Sequence, residues 1–430
     1  MSQGLSHDPK AKRKAQWGWV MYDWANSAFA TTIMAAVLPV YYHKVAAANL
    51  PGYKATAYWG YTATIALLIV ALISPVLGAI ADQSRGKKRF LTVFALLGIL
   101  GTALLYGVRT GDWLKASVFF IIGNVGFAAA NVFYDALLPH IADEDEVDFV
   151  STWGYAMGYL GGGLLLAVNL AMIMLAPEDK VGLMTRLSFL SVAVWWLVFT
   201  IPLWKWVPEP PGRPQVGRAV GNPIRAGFVQ LAETFRHLRR YEEAFKFLIA
   251  FWLYNDGIST IIKMATIYGA EIGIGQTDLI GTLLMVQFLG IPFSFLFGYL
   301  ARRIGVKNGI YITLVVYTLI AIGGYFMSKA VHFWLLGAAV ATVQGGSQAL
   351  SRSLFSRLIP KSKSAEFFGF FSVSAKFAGI VGPLLFGVVS QWAHSSRLSI
   401  VSLIVFFIAG MALLARVDVQ KGMAAVQAEE

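Results

Sequence analysis

The chain has 430 residues, 57% of them hydrophobic and only 13% charged, with a mean hydropathy of +0.63. A water-soluble protein carries about a quarter of charged residues, so a soluble enzyme or binding domain is excluded and the bilayer must be the solvent. The 35 Lys and Arg against 23 Asp and Glu leave a net charge of +12. On a soluble chain that balance would point to nucleic acid. Here the basic residues stand in short tracts between apolar runs, such as Arg85-Gly86-Lys87-Lys88-Arg89. That placement excludes a nucleic-acid partner and marks them as topology signals. The chain has no cysteine, which excludes disulfides, redox dithiols and thiolate metal sites.

A basic stretch at 10–14 precedes an apolar run too long for a cleavable signal, so the run is predicted to remain as the first helix. At about 20 apolar residues per span, twelve spans are predicted, at 17–42, 57–81, 90–108, 116–138, 150–176, 185–206, 244–270, 278–301, 309–328, 331–350, 367–392 and 398–415. With the amino terminus in the cytoplasm, 25 Lys and Arg fall in cytoplasmic segments and eight outside, with Lys263 and Lys376 inside spans. Both termini are therefore expected in the cytoplasm. Between the halves lies the connection 207–243, opened by Pro208-Glu209-Pro210-Pro211-Gly212, which cannot continue the sixth helix. From Asn222 as N-cap and Pro223 in the first turn, Ile224, Phe228, Leu231, Phe235 and Leu238 recur at helical spacing, with Arg225, Arg236, Arg239 and Arg240 among them. This predicts an amphipathic helix on the anionic membrane surface rather than a solvated linker helix. The expected organisation is a six-helix bundle over 1–206, the linker 207–243, and a second bundle with a short tail over 244–430.

An internal repeat supports that division. Leu138-Pro139, Gly154, Gly158 and Gly161 recur as Ile359-Pro360, Ala375, Gly379 and Gly382 at a constant offset of 221 residues. Gly78-Ala79-Ile80-Ala81 returns as Gly298-Tyr299-Leu300-Ala301, and Tyr22-Asp23 and Ser27 are answered by Tyr254-Asn255 and Ser259. Corresponding spans six apart mean two parallel, pseudo-symmetric halves.

Ionisable groups at mid-membrane cost about 2.5–3.5 kcal/mol each, so their placement carries information. The first span bears Asp23, Asn26, Ser27, Ala30 and Thr31 on one face. The fourth bears Asn124, Ala128, Asn131 and Asp135, the seventh Asp256, Ser259, Thr260 and Lys263, and the tenth Gln344, Ser347, Gln348 and Ser351. Polar stripes on every third helix predict a shared water-accessible cavity. Each stripe has a plainer explanation. Asp23 stands early enough in its predicted helix to complement the amino-terminal dipole. Asp135, at an unfavourable carboxyl-terminal end, would then pair with a nearby Arg or Lys. Asp256 and Lys263 are two turns apart, too far for a direct pair, so each needs a partner on another helix or water. Lys376 on the eleventh span either serves the cavity or snorkels to the interface. The glycines Gly154, Gly158 and Gly161–Gly163, and Gly379 and Gly382 with Pro383, read as small-residue faces that let helices approach and slide.

The loop after the second span, Gly78-Ala79-Ile80-Ala81-Asp82-Gln83-Ser84-Arg85-Gly86-Lys87-Lys88-Arg89, resembles the G-x-x-x-D-R/K-x-G-R/K-R/K signature of the major facilitator superfamily, with one extra residue before the second glycine. That resemblance implies an all-α polytopic membrane protein of twelve helices in two six-helix bundles. It also implies a conformational lock through Gly78, Asp82, Arg85, Gly86 and Arg89, with Asp82 against the start of the eleventh helix. The second copy, 298–307, has Arg302 where the aspartate would stand, so an equivalent second lock is not expected. Three further segments resemble one branch of the superfamily, the relatives of the autophagy-linked vacuolar amino-acid effluxer: Tyr22-Asp23-Trp24-Ala25-Asn26-Ser27-Ala28-Phe29, Tyr254-Asn255-Asp256-Gly257-Ile258, and Ala365-Glu366-Phe367-Phe368-Gly369 followed by Lys376 and Gly382-Pro383. They imply a secondary transporter working by alternating access, with neutral amino acids among its solutes.

No Walker A sequence supplies ATP energy, and no HExxH, nucleophile elbow or Gly-rich phosphate loop marks an enzyme. The expected protein is thus not an enzyme and takes neither cofactor nor metal. It moves a small polar solute, coupled to a proton or another ion, surrounded by membrane lipid and acting as a monomer in the inner membrane if the source is bacterial. Substrate or coupling candidates are Asp23, Asn26, Asn124, Asn131, Asp135, Asp256, Lys263, Gln344, Gln348 and Lys376. A lipid or lysolipid flippase on the same scaffold and a solute receptor that no longer transports are the alternatives.

Overall fold

A computed structural model describes residues 9–83, 86–142, 147–210, 223–360, 367, 370–371, 374–376 and 378–427. Among them every regular element is helical. The first span is α1 (Pro9–Ala28), a π-helical stretch Phe29–Ala36, α2 (Val37–Tyr41) and a second π-helical stretch Tyr42–Ala46. Pro39 withdraws an N–H from this helix, and just upstream the ladder widens so that the Val37 N–H reaches back five residues to the Thr32 carbonyl. Then follow α3 (Gly52–Gln83), α4 (Lys87–Leu104), α5 (Trp113–Ile141), α6 (Val147–Met174) and α7 (Val181–Trp206). The linker carries α8 (Pro223–Leu238), which opens on the proline expected in its first turn. The second half comprises α9 (Glu242–Glu271), α10 (Gln276–Ile304), α11 (Val306–Phe326), α12 (Ala330–Arg357), α13 (Val381–Ala393), α14 (Ser396–Ser402), α15 (Ile404–Ala415) and α16 (Val419–Gln427).

Eight of the described helices are long and apolar enough to cross a membrane by length and composition. The first span, α9, α10 and α12 are not among the eight. The first span, α9 and α12 are three of the four helices whose polar stripes dilute their hydropathy; α10 bears no such stripe.

The chain forms two compact units, one of Met1–Asn49 with Leu72–Phe228 and the other of Leu50–Ala71 with Val229–Glu430. In the first, α1 packs on α6 and α7, and α4 on α5 and α7. Helices α4 and α5 touch backbone to backbone, since a β-carbon on Gly126 would stand 2.3 Å from the Gly98 nitrogen. Fully buried Trp196 fills the adjoining space, its ring centroid 5.7 Å from that of Phe29 and 6.1 Å from that of Phe127. Burying such aromatic surface contributes about 1.5–3 kcal/mol per side chain in water, whereas in lipid its value lies in shape complementarity.

In the second unit α10 and α11 pack on α12, and α9 lies against α13 and α15. The start of α3 belongs here as well: Ser390 Oγ donates to the Tyr53 carbonyl at 3.1 Å and Tyr61 OH to Gln391 Oε1 at 2.6 Å. The Glu271 carboxylate, at the end of α9, accepts from both Thr56 Oγ1 and Ser396 Oγ.

Each unit closes on a lysine. The last carbonyls of a helix have no intrahelical donor. Lys88 at the start of α4 donates its ammonium to the carbonyls of Trp204 (2.6 Å) and Val207 (2.7 Å), and Lys307 at the start of α11 to those of Val417 (2.7 Å) and Ala415 (3.2 Å). Helix α16 is pinned separately. Glu243, 4% exposed, accepts the Asp418 N–H at 2.8 Å and pairs with Lys246 at 3.1 Å and Lys421 at 3.4 Å. Burial pushes the Glu243 carboxyl up, but the Asp418 N–H and the two lysines outweigh it and hold the group below the ordinary glutamate value.

Candidate substrate and coupling sites

In the first unit the polar residues of the first span find partners on α5 and α6. Asn26, 2% exposed, donates Nδ2 to Asn131 Oδ1 at 2.7 Å, tying the first span to the fourth. Thr31 Oγ1 donates to the Gly162 carbonyl at 3.1 Å. Asp23 is half-buried and receives Ser27 Oγ at 3.5 Å. It lies fourteen residues beyond the start of α1 at Pro9, well past the first turn, so the helix dipole does not account for it. What accommodates it is glycine: a β-carbon on Gly158 would stand 3.2 Å from the Asp23 Cγ and 2.6 Å from Ser27 Oγ. Asn124 is buried on α5, whereas Asp135 is exposed near its end and interacts electrostatically with Asp23. The ring of Trp19 stacks on Tyr134 at 4.2 Å while its Nε1 donates to the Tyr134 carbonyl at 2.9 Å, fixing α1 beside that aspartate.

The second unit repeats the tie with different amides, Gln348 Nε2 of α12 donating to Asn255 Oδ1 of α9 at 2.9 Å. One turn away Tyr254 OH and Ser351 Oγ share a hydrogen bond at 2.7 Å, and Ser351 Oγ also lies 2.6 Å from the Ser347 carbonyl. Gln344 is half-buried on the same helix, its carbonyl accepting from Ser347 Oγ at 2.8 Å.

Asp256 is 2% exposed, and its partner is a backbone group: Oδ2 accepts the Gly382 N–H at 2.8 Å. Gly382 is the second residue of α13, which begins at Val381 after the turn residues Gly379 and Ile380. Pro383 explains that interruption, since it has no N–H to give the Gly379 carbonyl and its ring crowds that position. The N–H groups of a helix's first turn are left without intrahelical acceptors, and Asp256 supplies one from another helix. Thr260 Oγ1 donates to the Asp256 carbonyl at 2.7 Å and stands 3.5 Å from Oδ1. A β-carbon on Gly382 would stand 2.0 Å from Thr260 Oγ1 and 2.6 Å from Asp256 Oδ1. The glycines expected to serve helix sliding therefore also make room for side-chain oxygen. Lys263 is half-buried two turns along α9, its Nζ 3.9 Å from where a β-carbon on Gly379 would lie. Lys376 is half-buried in the helical stretch 374–376 just before the interruption.

Of the expected lock, Gly78 lies within α3, while the side chain of Asp82, and Arg85 altogether, lie outside the described residues, as does the side chain of Arg302. Gly86 stands at the N-cap of α4, and the Arg89 N–H donates to Glu209 Oε2 at 3.3 Å. Sequence reasoning missed the lysine caps, the Glu271 cluster and the interrupted eleventh helix; only the last had a local signal, in Gly382-Pro383. Among the described residues no group of three or more His, Asp or Glu is arranged to hold a metal.

Twelve predicted spans, two units and a polar cluster inside each define a transporter of the major facilitator type. The fold agrees with solved structures of that class. The nucleoside transporter NupG superposes with a TM-score of 0.68 at 15% identity, covering 96% of this chain and 99% of its own. A D-xylose–proton symporter superposes with a TM-score of 0.68 at 16% identity, covering 96% and 98%. The chain belongs to the vacuole effluxer Atg22-like family, whose model matches residues 52–427. It is 39% identical over 407 residues to the MFS-type transporter YxiO of Bacillus subtilis (strain 168), across 94% of each chain. It is also 25% identical over 394 residues to autophagy-related protein 22 of Kluyveromyces lactis, across 84% of this chain and 80% of that one. The protein is therefore an integral, multi-pass membrane transporter and not an enzyme.

Proposed function

We propose that this transporter moves a small polar or zwitterionic solute, with amino acids the first class to test, by alternating access coupled to proton movement. The observation that carries the reading is Asp256, a carboxylate 2% exposed within a membrane-spanning helix. A carboxylate is retained at such depth, against its insertion cost, where a solute or ion uses it. Asp256 is the first choice for a proton or substrate-amine contact, with Asp23 and Asp135 next. Lys263 and Lys376 are the candidates to hold a solute carboxylate, and Asn26, Asn124, Asn131, Gln344 and Gln348 to hydrogen-bond it. The amino-acid assignment draws on the resemblance to the relatives of the vacuolar amino-acid effluxer that Tyr254-Asn255-Asp256-Gly257-Ile258 helps to carry. The distribution of Lys and Arg supports cytoplasmic termini, and the working form is a monomer.

Uptake of labelled amino acids into proteoliposomes under an imposed pH gradient tests the reading. Gradient-driven uptake is expected, and Asp256→Asn should abolish it. Uptake that persists unchanged in Asp256→Asn, Asp23→Asn and Asp135→Asn would overturn the coupling assignment. A thermal-shift screen of amino acids, peptides, sugars and lysolipids tests the solute class, and stabilisation by lysolipids alone would favour a flippase.

A further inference from the structure

We infer that Asp256 is also a positioning residue: its carboxylate is the cross-helix N-cap of α13, so that a ligand amine that takes up its oxygens during the cycle frees the restarted half of the eleventh span. The inference rests on the reading of Asp256 as a solute or ion contact, and adds how that contact would move the protein. Three observations converge on it. The helix is interrupted at Gly379 and Ile380, and Pro383 prevents the ladder from closing across the gap. The N–H of Gly382 is one of the donors left over at the restart, and Asp256 Oδ2 accepts it at 2.8 Å. The approach is too close for any side chain at 382, since a β-carbon there would stand 2.0 Å from Thr260 Oγ1.

Such a cap acts differently from an ordinary one. An N-cap residue usually belongs to the helix it caps, so its side chain travels with the helix. Here the acceptor sits on α9 and the donor on α13, so the bond also sets the position of one helix against the other. A ligand amine arriving at the carboxylate competes for the same oxygens, and α13 loses its fixed partner when the competition succeeds; a proton alone leaves one carbonyl oxygen to accept the Gly382 N–H.

The chain contains no cysteine, so a single introduced one reports without background. Ser390, fully buried on α13, is the reporter position as Ser390→Cys, and Ser347, 1% exposed on α12, is the control as Ser347→Cys. Maleimide labelling is measured on the purified full-length protein in nanodiscs. Asp256→Ala and Asp256→Ser, whose side chains cannot reach the Gly382 N–H, should raise the rate at Ser390→Cys by about fivefold, the change expected for one lost N-cap. Asp256→Asn keeps an acceptor oxygen and should label nearly as slowly as the parent. Rates at Ser347→Cys should not change in any variant. The inference is overturned if Asp256→Ala and Asp256→Ser leave Ser390→Cys as slow as before, if Asp256→Asn is as fast as Asp256→Ala, or if both reporter positions accelerate together. An Asp256→Asn protein that labels slowly yet transports normally would leave the cap standing and refute the coupling role instead.

Discussion

The two units place different chemistry at one equivalent position. The offset that relates Tyr22 to Tyr254 and Ser27 to Ser259 relates Trp24 to Asp256, and the offset of the glycine repeat relates Gly161 to Gly382. In the first unit a β-carbon on Gly161 would stand 2.5 Å from the Trp24 carbonyl, and the Trp24 ring lies stacked 5.5 Å from that of Trp195, whose Nε1 donates to the same carbonyl at 3.2 Å. In the second, Gly382 meets the Asp256 carboxylate. The first joint is made of rings and ends on a helix, α6, that runs unbroken from Val147 to Met174. The second is made of one hydrogen-bonded carboxylate and ends on a helix that has restarted. A repeated frame thus carries one joint that ring packing holds and another that a single hydrogen-bonded carboxylate holds. Irregular backbone divides in the same way: the first unit puts it in its first span, as the π-helical Phe29–Ala36, while the second leaves α9 intact for 30 residues and interrupts its eleventh span.

The largest effect that separates the joints is expected from Gly382→Ala. Its β-carbon overlaps Thr260 Oγ1, an overpacking cost of about 3 kcal/mol, and uptake should be lost with a clear fall in melting temperature. Adding Thr260→Ala should restore part of the stability; equal melting temperatures with and without it would show that the steric reading is wrong. Next come the lysine caps. Lys88→Met and Lys307→Met each remove charged hydrogen bonds worth about 1.5–3 kcal/mol, and similar losses in both, measured by thermal unfolding, would show that the units close alike. The amide ties are smaller. Double-mutant cycles on Asn26 with Asn131 and on Gln348 with Asn255 should each give about 0.6 kcal/mol, the average for hydrogen bonds between membrane helices. A coupling confined to one pair would extend the asymmetry beyond the joint.

The smallest effect concerns α16. Because the Glu243 carboxyl is held below its ordinary value of 4.5, the stability it contributes is present above that pH and is lost as pH falls through the lowered value. Proteolysis of the C-terminal tail should therefore be slow from neutral pH down to the ordinary value of 4.5 and accelerate only as the pH falls further, and Glu243→Gln should accelerate it at pH 7.

Much of this fold was legible because membrane spans declare themselves by length and hydropathy, and the repeat by constant offsets. The polar stripes were legible too, because only a few ionisable residues interrupt those spans; Asn26, Asn131, Asp256 and Gln348 all take polar partners on other helices. What stayed hidden depends on tertiary neighbours. Nothing near Asp256 in sequence announces the Gly382 N–H, 126 residues away, and nothing near Glu271 announces Thr56, 215 residues away. Pro39 and Pro383 were visible, but whether a proline widens a helix or interrupts it is decided by what surrounds the freed backbone groups. The earlier start of α1, at Pro9 rather than near Trp17, was missed because its first turns are basic and fall outside a hydropathy window.

The lysine caps also bear on synthesis. Lys88 is made 116 residues before Trp204 and 119 before Val207, and Lys307 is made 110 residues before Val417. At translation rates of about 5–20 residues per second, each ammonium group waits roughly 6–24 s for its carbonyls. During that interval the lysine keeps its water, and the first five helices of each half can still rearrange. The sixth helix ends the interval when its carbonyls take up the charge, so the last span of each half to leave the ribosome completes its bundle.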